Sequence, residues 1–145
     1  MKKLFIALVI IGIGIYAYIQ NNPAVVSSFT EENAQNDQVI TDAYQNRLSD
    51  IQVRGSGKVS RVLRDDNEGS RHQRFILRLS SGQTLLIAHN IDLAPKINTL
   101  QNGDVVQFYG EYEWNSKGGV VHWTHHDPSG RHVGGWLKHD GHKYE

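Results

Sequence analysis

The strongest constraint on the fold is a change of pattern at Ile51, where apolar and polar residues begin to alternate in five short segments. Such alternation is typical of β-strands that bury one face. The first segment contains Gly55 and Gly57, which is typical of a strand that must bend sharply. Turn-forming residues separate the others, so the second and third segments, and the fourth and fifth, are predicted to be hairpins. The five predicted strands are residues 53–65, 72–79, 83–90, 104–114 and 119–126.

A short helix is predicted between the third and fourth strands, over residues 92–100. Leu93, Ile97 and Leu100 share one face there, and Asp92 offers a cap for the helix start. Three strands, a helix and two strands follow the order of an OB-type barrel. We therefore expect an all-β protein with small α content, built as an OB-like five-stranded barrel over residues 51–127.

The N-terminal residues 1–20 are predicted to be a signal anchor or a signal peptide. Lys2 and Lys3 precede an apolar run over residues 4–19, which places the rest of the chain outside the cytoplasm. The residues after this run offer no clean cleavage site, which favours the uncleaved anchor. We expect an envelope protein held in the inner membrane with its domain in the periplasm, or a secreted one if the segment is cleaved.

Residues 21–50 form a polar linker that contains a short amphipathic helix. Ile40, Tyr44 and Leu48 recur at intervals of four, which predicts a helix face that packs on the barrel. A disordered stalk is the alternative. At the other end, residues 128–145 are read as a His/Gly-rich tail that Trp136 docks on the barrel.

Composition narrows the possible partners. The chain has 15 basic and 15 acidic residues, so it lacks the positive field on which non-specific nucleic-acid binding relies, and duplex DNA is not an expected partner. It has no cysteine, which excludes disulfides and thiolate metal sites. Eight histidines are its most unusual feature, and most of them follow position 121.

Strand pairing predicts where several of these histidines meet. Gln73 should lie opposite His89, and a parallel pairing of the third and fifth strands would bring their carboxyl ends to one edge of the barrel. In the last hairpin Trp123 should cover Gly110, while His122 faces outward opposite Glu111 as a polar pair. We call the predicted convergence the rim, and its residues are Arg71, His72, Gln73, His89, Asn90, His125, His126 and Asp127.

Two functions are compatible with the rim, and the sequence leaves open whether the protein is an enzyme. The first is binding of an oligomeric or anionic ligand, such as a glycan or single-stranded nucleic acid. The second is metal-dependent hydrolysis of a phosphodiester or glycan, with a divalent ion such as zinc held by His89, His125, His126 and Asp127. The candidate ligand-binding residues are Arg71, His72, Gln73, His89, Asn90, Trp123, Arg74 and Tyr109.

Four motifs carry a resemblance to a known family. They are GSRHQRF at 69–75, HNIDLAP at 89–95, GEYEWN at 110–115 and HWTHHDP at 122–128. Through them the stretch from about residue 55 to residue 144 resembles the bacterial domain of unknown function 3465 family. The resemblance implies an exported, OB-like domain and brings no activity with it.

Overall fold

A computed structural model describes residues 2–145, and the side chains of residues 2–5, 7 and 8 are outside the description. The chain divides into two compact units, Met1–Glu32 and Asn33–Glu145. The helices are α1 (Lys2–Asn21) and α2 (Pro23–Gln45). The strands are β1 (Ile51–Val62), β2 (His72–Arg78), β3 (Thr84–Asn90), β4 (Val105–Glu113), β5 (Val120–His122), β6 (Trp136–His139) and β7 (His142–Tyr144).

The second unit is a closed five-stranded barrel of mixed pairing, as the alternating pattern predicted. Its strands follow one another in the order β1, β2, β3, β5 and β4, and pairing of β1 with β4 closes the ring. The β3–β5 pair is parallel and the other pairs are antiparallel. The largest buried apolar side chains fill the interior: Val59, Phe75, Leu77, Leu85, Ile87, Val106, Phe108, Tyr112, Val121 and Leu137.

Strand β1 bends because it belongs to two sides of the barrel. Its first part pairs with β4 from Ile51 to Lys58, and its last part pairs with β2 across a register shift between Val59 and Arg61. A Cβ on Gly55 would lie 2.8 Å from Cζ of Phe108, so the glycine makes room for a core ring. The predicted bend is therefore confirmed, and its register shift lies after the two glycines, between Val59 and Arg61.

The C-terminal segment, expected to be a tail, forms the two further strands β6 and β7. Strand β6 pairs with Val106–Tyr109 of β4, and β7 pairs with β6. Leu137 is fully buried, whereas Trp136 is half-buried and its ring faces that of Tyr109 at a centroid distance of 6.2 Å. Period-two alternation explains this, because neighbouring side chains in a strand point to opposite faces. Leu137 is thus the residue that anchors the segment in the core.

One end of the barrel is covered by residues 33–45, the part of α2 that belongs to the second unit. Ile40 and Ala43 are buried on the helix face predicted from their spacing. Asp37 accepts hydrogen bonds from the hydroxyl of Ser80 (2.5 Å) and the amide of Ser81 (3.0 Å), in the turn between β2 and β3. Helix α2 begins at Pro23, well before the predicted helix start at residue 37.

The other end is covered by residues 91–100, and here the predicted helix is absent. The segment forms turns and irregular structure instead. Pro95 lacks the amide hydrogen that a helix interior needs, and its carbonyl bonds His89. The amide and carbonyl of Ile97 both bond the side chain of Gln73, at 2.9 Å each. These backbone groups are satisfied by β2 and β3, so helical hydrogen bonds are not required.

The first unit consists of α1 and the first part of α2. The side chains of Ile10, Ile13 and Tyr16 are all more than half exposed, so α1 presents apolar groups to its surroundings. Within residues 2–145, no single helix has both the length and the apolar character for crossing a membrane. Residues 9–21 and α2 have the necessary length and apolar character only when taken together, and the two helices are bent by 84° at their junction.

Candidate functional site

Both ring nitrogens of His89, the histidine at the centre of the predicted rim, are bonded within the fold. His89 lies opposite Gln73 and is buried. Its Nδ1 is 2.9 Å from Oγ1 of Thr124, and its Nε2 is 3.1 Å from the carbonyl oxygen of Pro95. A carbonyl only accepts, so Nε2 carries the hydrogen and Nδ1 accepts from the threonine hydroxyl. Burial lowers the pKa of His89 to about 4, so the ring is neutral at physiological pH.

The other rim residues of β2 and β3 also bond within the protein. Gln73 holds Ile97, as described above. The Nε of Arg71 lies 2.7 Å from Oδ1 of Asp92, and its backbone amide bonds the other oxygen of the same carboxylate. His72 bonds the carbonyl of Ser70, and the side chain of Asn90 accepts the amide of Asp92. Arg74 donates to the carbonyl of Arg64. These contacts fasten the loops at this end of the barrel.

Strand β5 ends earlier than predicted, at His122 and not at His126. Trp123 has φ of 53°, a left-handed conformation that no strand can continue through. The expected pairing of Trp123 with Gly110 is therefore wrong, and the preceding part of β4 pairs with β6, where Phe108 lies opposite Leu137. Residues 123–135 instead form an excursion that we call the β5–β6 loop.

The β5–β6 loop is organised by Asp127, which the sequence suggested as a metal ligand. Its carboxylate accepts hydrogen bonds from the hydroxyl and amide of Ser129 and from the amides of Arg131 and His132. These bonds, the serine hydroxyl first among them, hold the pKa of Asp127 well below its ordinary range. The carboxylate is a loop organiser whose oxygens are already occupied.

The four predicted metal ligands do not assemble into a site. His125 is buried and its Nδ1 lies 2.8 Å from the carbonyl oxygen of His126, while the side chain of His126 is exposed. His89 and Asp127 use their donor atoms internally. Across the described part of the chain, one group of three carboxylate and imidazole donors lies close enough together to share an ion, and it is on the outer face of the barrel.

That group is Glu111, Glu113 and His122, and we call it the acid–imidazole cluster. Nε2 of His122 lies 3.4 Å from Oε1 of Glu111 and 3.5 Å from Oε1 of Glu113. The predicted pairing of His122 with Glu111 is confirmed by the strand register. The second carboxylate was missed, although Glu113 lies two residues further along β4 and so on the same face.

His132 approaches this cluster from the β5–β6 loop. Its Nε2 is 2.5 Å from Oε2 of Glu111, and its Nδ1 is 2.7 Å from the carbonyl oxygen of Val133. Partial burial lowers the pKa of His132, but the Val133 carbonyl and the Glu111 carboxylate outweigh that effect and raise it. The ring of Trp123 stacks on that of His132, with a centroid distance of 3.9 Å and an interplanar angle of 9°. Trp123 therefore positions a neighbouring ring, which its sequence context did not indicate.

A second feature of the outer face is a row of cations and aromatic rings, which we call the aromatic strip: Arg54, Tyr109, Trp136 and Lys143. The guanidinium of Arg54 lies 5.2 Å from the ring centre of Tyr109, and the ammonium of Lys143 lies 5.8 Å from that of Trp136. A hollow of about 380 Å³ adjoins the strip, lined by Gln107, Trp136, Lys138, Gly141 and Lys143. Of this set the sequence singled out Tyr109 as a ligand residue.

Comparison with known proteins identifies the chain at the level of its family. The family model described as "Protein of unknown function (DUF3465)" matches residues 24–145. The match covers the whole barrel together with α2. No curated protein is significantly similar to the chain.

Proposed function

For this chain, which belongs to the DUF3465 family of proteins of unknown function, we propose the role of a binding module for an acidic glycan. The aromatic strip is the observation that supports this. Arg54 pairs with Tyr109 across β1 and β4, and Tyr109 pairs with Trp136 across β4 and β6. Neighbouring strands lie about 4.8 Å apart, so a row over four strands spans about 14 Å. That length suits several units of an extended oligomer.

The strip combines the two kinds of contact that an acidic glycan requires. Half-buried rings offer flat apolar faces for stacking on sugars, and they lose little entropy when a ligand binds because they are already packed. Within the described residues, Arg54 and Lys138 form no ion pair, so their charges are available to carboxylate or phosphate groups of a ligand. Lys143 pairs with Glu145 at 2.6 Å.

The rim supports a ligand less well than the strip. His89, Gln73 and Asp127 bond backbone or side-chain groups of the fold, so binding through them would break internal hydrogen bonds. The alternative of a hydrolase with a metal at the rim meets the same difficulty, because His89 and Asp127 would have to release their present partners. Binding at the rings of Tyr109 and Trp136 on the outer face would break no such internal hydrogen bond.

We also propose that residues 4–19 hold the module in the inner membrane with the barrel in the periplasm. The charged start at Lys2 and Lys3, the apolar run that follows and the exposure of Ile10 and Ile13 support this placement. A glycan of the cell envelope would then be within reach of the barrel.

The test is a titration of the purified full chain in detergent micelles with an oligogalacturonate, followed by tryptophan fluorescence and calorimetry. A neutral galactose oligomer of equal length is the matched ligand. We expect saturable binding of the acidic oligomer, and at least about tenfold weaker binding by Arg54→Ala and by Trp136→Ala, equivalent to about 1.4 kcal/mol each.

Lys117→Ala is the control variant, because Lys117 lies exposed in the turn between β4 and β5, away from the strip. It should bind as the unaltered protein does. Equal affinity for the acidic and neutral oligomers would remove the role of the cations. Tighter binding of a single-stranded oligonucleotide of equal charge than of the glycan would contradict the proposal and identify single-stranded nucleic acid as the ligand class.

A further inference from the structure

We propose that the acid–imidazole cluster is a site for one divalent cation of the zinc type, with Glu111, Glu113 and His122 as its protein ligands. The donor atoms of these three residues all lie within 4.8 Å of one another. The proposal is independent of the aromatic strip, since it concerns different residues and a different ligand.

The two distances from the imidazole nitrogen to the carboxylates agree with a shared ion. A tetrahedral zinc site has bonds of about 2.0–2.1 Å, which places neighbouring ligand atoms about 3.3–3.4 Å apart. Nε2 of His122 lies 3.4 Å and 3.5 Å from the nearest oxygens of Glu111 and Glu113. A direct charge-assisted hydrogen bond would be about 2.7–2.9 Å long. The observed spacing is too long for that bond and close to the edge of a coordination tetrahedron.

The imidazole nitrogen also lacks any other partner. Nε2 of His122 is inaccessible to solvent and makes no hydrogen bond, although two carboxylates face it. A buried polar atom without a partner destabilises the fold. A cation between the three residues would satisfy this nitrogen and neutralise the two carboxylates together.

The strands hold the three ligands in place before any ion arrives. Glu111 and His122 are paired across β4 and β5, and Glu113 follows two residues later on the same face. Both hairpin strands belong to the closed barrel. Ligands on paired strands keep their spacing better than ligands on loops.

His132 serves as the positioning residue of the site. It contacts Oε2 of Glu111, which leaves Oε1 directed towards His122. Its other nitrogen is fixed by the Val133 carbonyl and its ring by Trp123. Carboxylate ligands of metals are commonly held by hydrogen bonds of this kind. Three protein ligands leave a fourth position for water, as in zinc sites that are open to substrate.

The donor set selects the class of ion. Mg²⁺ and Ca²⁺ take oxygen ligands almost exclusively, and Ca²⁺ requires six to eight of them. An imidazole beside two carboxylates suits zinc and its first-row neighbours. We therefore expect Zn²⁺ to bind and Ca²⁺ and Mg²⁺ at equal concentration to bind at least about a hundredfold more weakly.

The experiment is calorimetric titration of the full chain, purified without a histidine tag in detergent micelles, with Zn²⁺ alone. One equivalent should bind to the unaltered protein. Glu113→Gln keeps the side-chain shape but removes a charged ligand, and we expect it to weaken binding at least about tenfold. His122→Ala should abolish the stoichiometric event, and circular dichroism checks that both variants are folded.

His142→Ala is the matched control, because His142 is exposed and its Nδ1 bonds only the nearby carbonyl of Asp140. It should bind Zn²⁺ as the unaltered chain does. Absence of a stoichiometric event in the unaltered chain would overturn the proposal and leave the cluster as an imidazole packed between two carboxylates. Unchanged binding by a folded Glu113→Gln would overturn it too, since the ion would then be elsewhere.

Discussion

At the scale of single residues, His89 shows how a polar side chain can serve as core. The ring is buried, and Thr124 and Pro95 satisfy its two nitrogens. Its inward direction was predictable from the alternation of β3. Its partners were not, because they belong to irregular segments whose paths depend on the whole barrel. Its structural use therefore became clear only in three dimensions.

The buried neutral state of His89 makes stability depend on pH. Its pKa is about 4 in the fold and about 6.5 in the unfolded chain, so the unfolded state takes up a proton first as the pH falls. The stability contribution is complete above pH 6.5 and is lost progressively between about 6.5 and 4. We expect a loss of about 3 kcal/mol over that range, measured by urea unfolding at several pH values.

His89→Gln provides the comparison, since glutamine does not titrate. Its unfolding free energy should fall less between pH 7 and pH 4.5 than that of the unaltered protein. His142→Ala should keep the full dependence. Identical pH profiles for His89→Gln and the unaltered chain would show that another group is responsible.

At the scale of elements, the β5–β6 loop is the part of the fold that the sequence did not reveal. Val121 to Thr124 alternates apolar and polar residues, and this pattern predicted a strand as far as His126. The strand ends instead at His122, because the next residue, Trp123, has a left-handed φ of 53°. A Cβ on Gly110 would lie 2.4 Å from the carbonyl oxygen of His122, and only glycine lets the loop leave β4 at this point. Such close approaches between distant segments leave no periodic signal.

The two glycines before β6, Gly134 and Gly135, test the role of such close backbone approaches in the β5–β6 loop. A Cβ on Gly135 would lie 2.1 Å from the carbonyl oxygen of Trp123 and 2.2 Å from that of Tyr109, whereas on Gly134 the nearest atom is 3.5 Å away. Gly135→Ala should therefore lower the free energy of unfolding by at least about 1–3 kcal/mol. Chemical denaturation would measure it.

Gly134→Ala is the matched control and should change stability by less than about 0.5 kcal/mol. The pair has the same chemistry and adjacent positions, so a general effect of removing glycine cancels. Equal destabilisation by both substitutions would contradict the assigned role of Gly135.

The buried residue of β6 offers a second test at this scale. Leu137→Ala should cost about 2–5 kcal/mol, because Leu137 is fully buried between the barrel strands. Trp136→Ala should cost less, because its ring lies on the outer face beside Tyr109. Thermal unfolding of the two variants would rank them. The reverse order would mean that the aromatic ring anchors the segment, as the sequence first suggested.

At the scale of the whole molecule, the barrel was predictable from the sequence, whereas the segments that cover its two ends were predicted only in part. The five strands follow from alternation and turn chemistry, and the parallel β3–β5 pair follows from the OB-type order of the elements. The segment 91–100 was misread because its apolar spacing fits a helix, while Gln73 and His89 compete for its backbone groups. The aromatic strip was missed because β6 and β7, which carry Trp136 and Lys143, were interpreted as a tail.

The placement of the chain is tested by a fusion of residues 1–30 to alkaline phosphatase, which is active only outside the cytoplasm. We expect activity, because Lys2 and Lys3 before the apolar run retain the N-terminus inside. A fusion with both lysines replaced by glutamate is the control and should lose part of that activity. Activity of a cytoplasm-only reporter at the same position would reverse the orientation.

Closure of the ring by β1 and β4 also has a kinetic consequence. Ile51 pairs with Tyr112, so β2, β3 and the turn before β4 all lie within the closed stretch of chain. Folding rates fall as contacting residues become more distant in sequence. The hairpin of β2 and β3 involves only near neighbours and forms early, while the β1–β4 seam comes late. Until it closes, the edge of β4 is exposed to other chains, so refolding at high protein concentration favours aggregation.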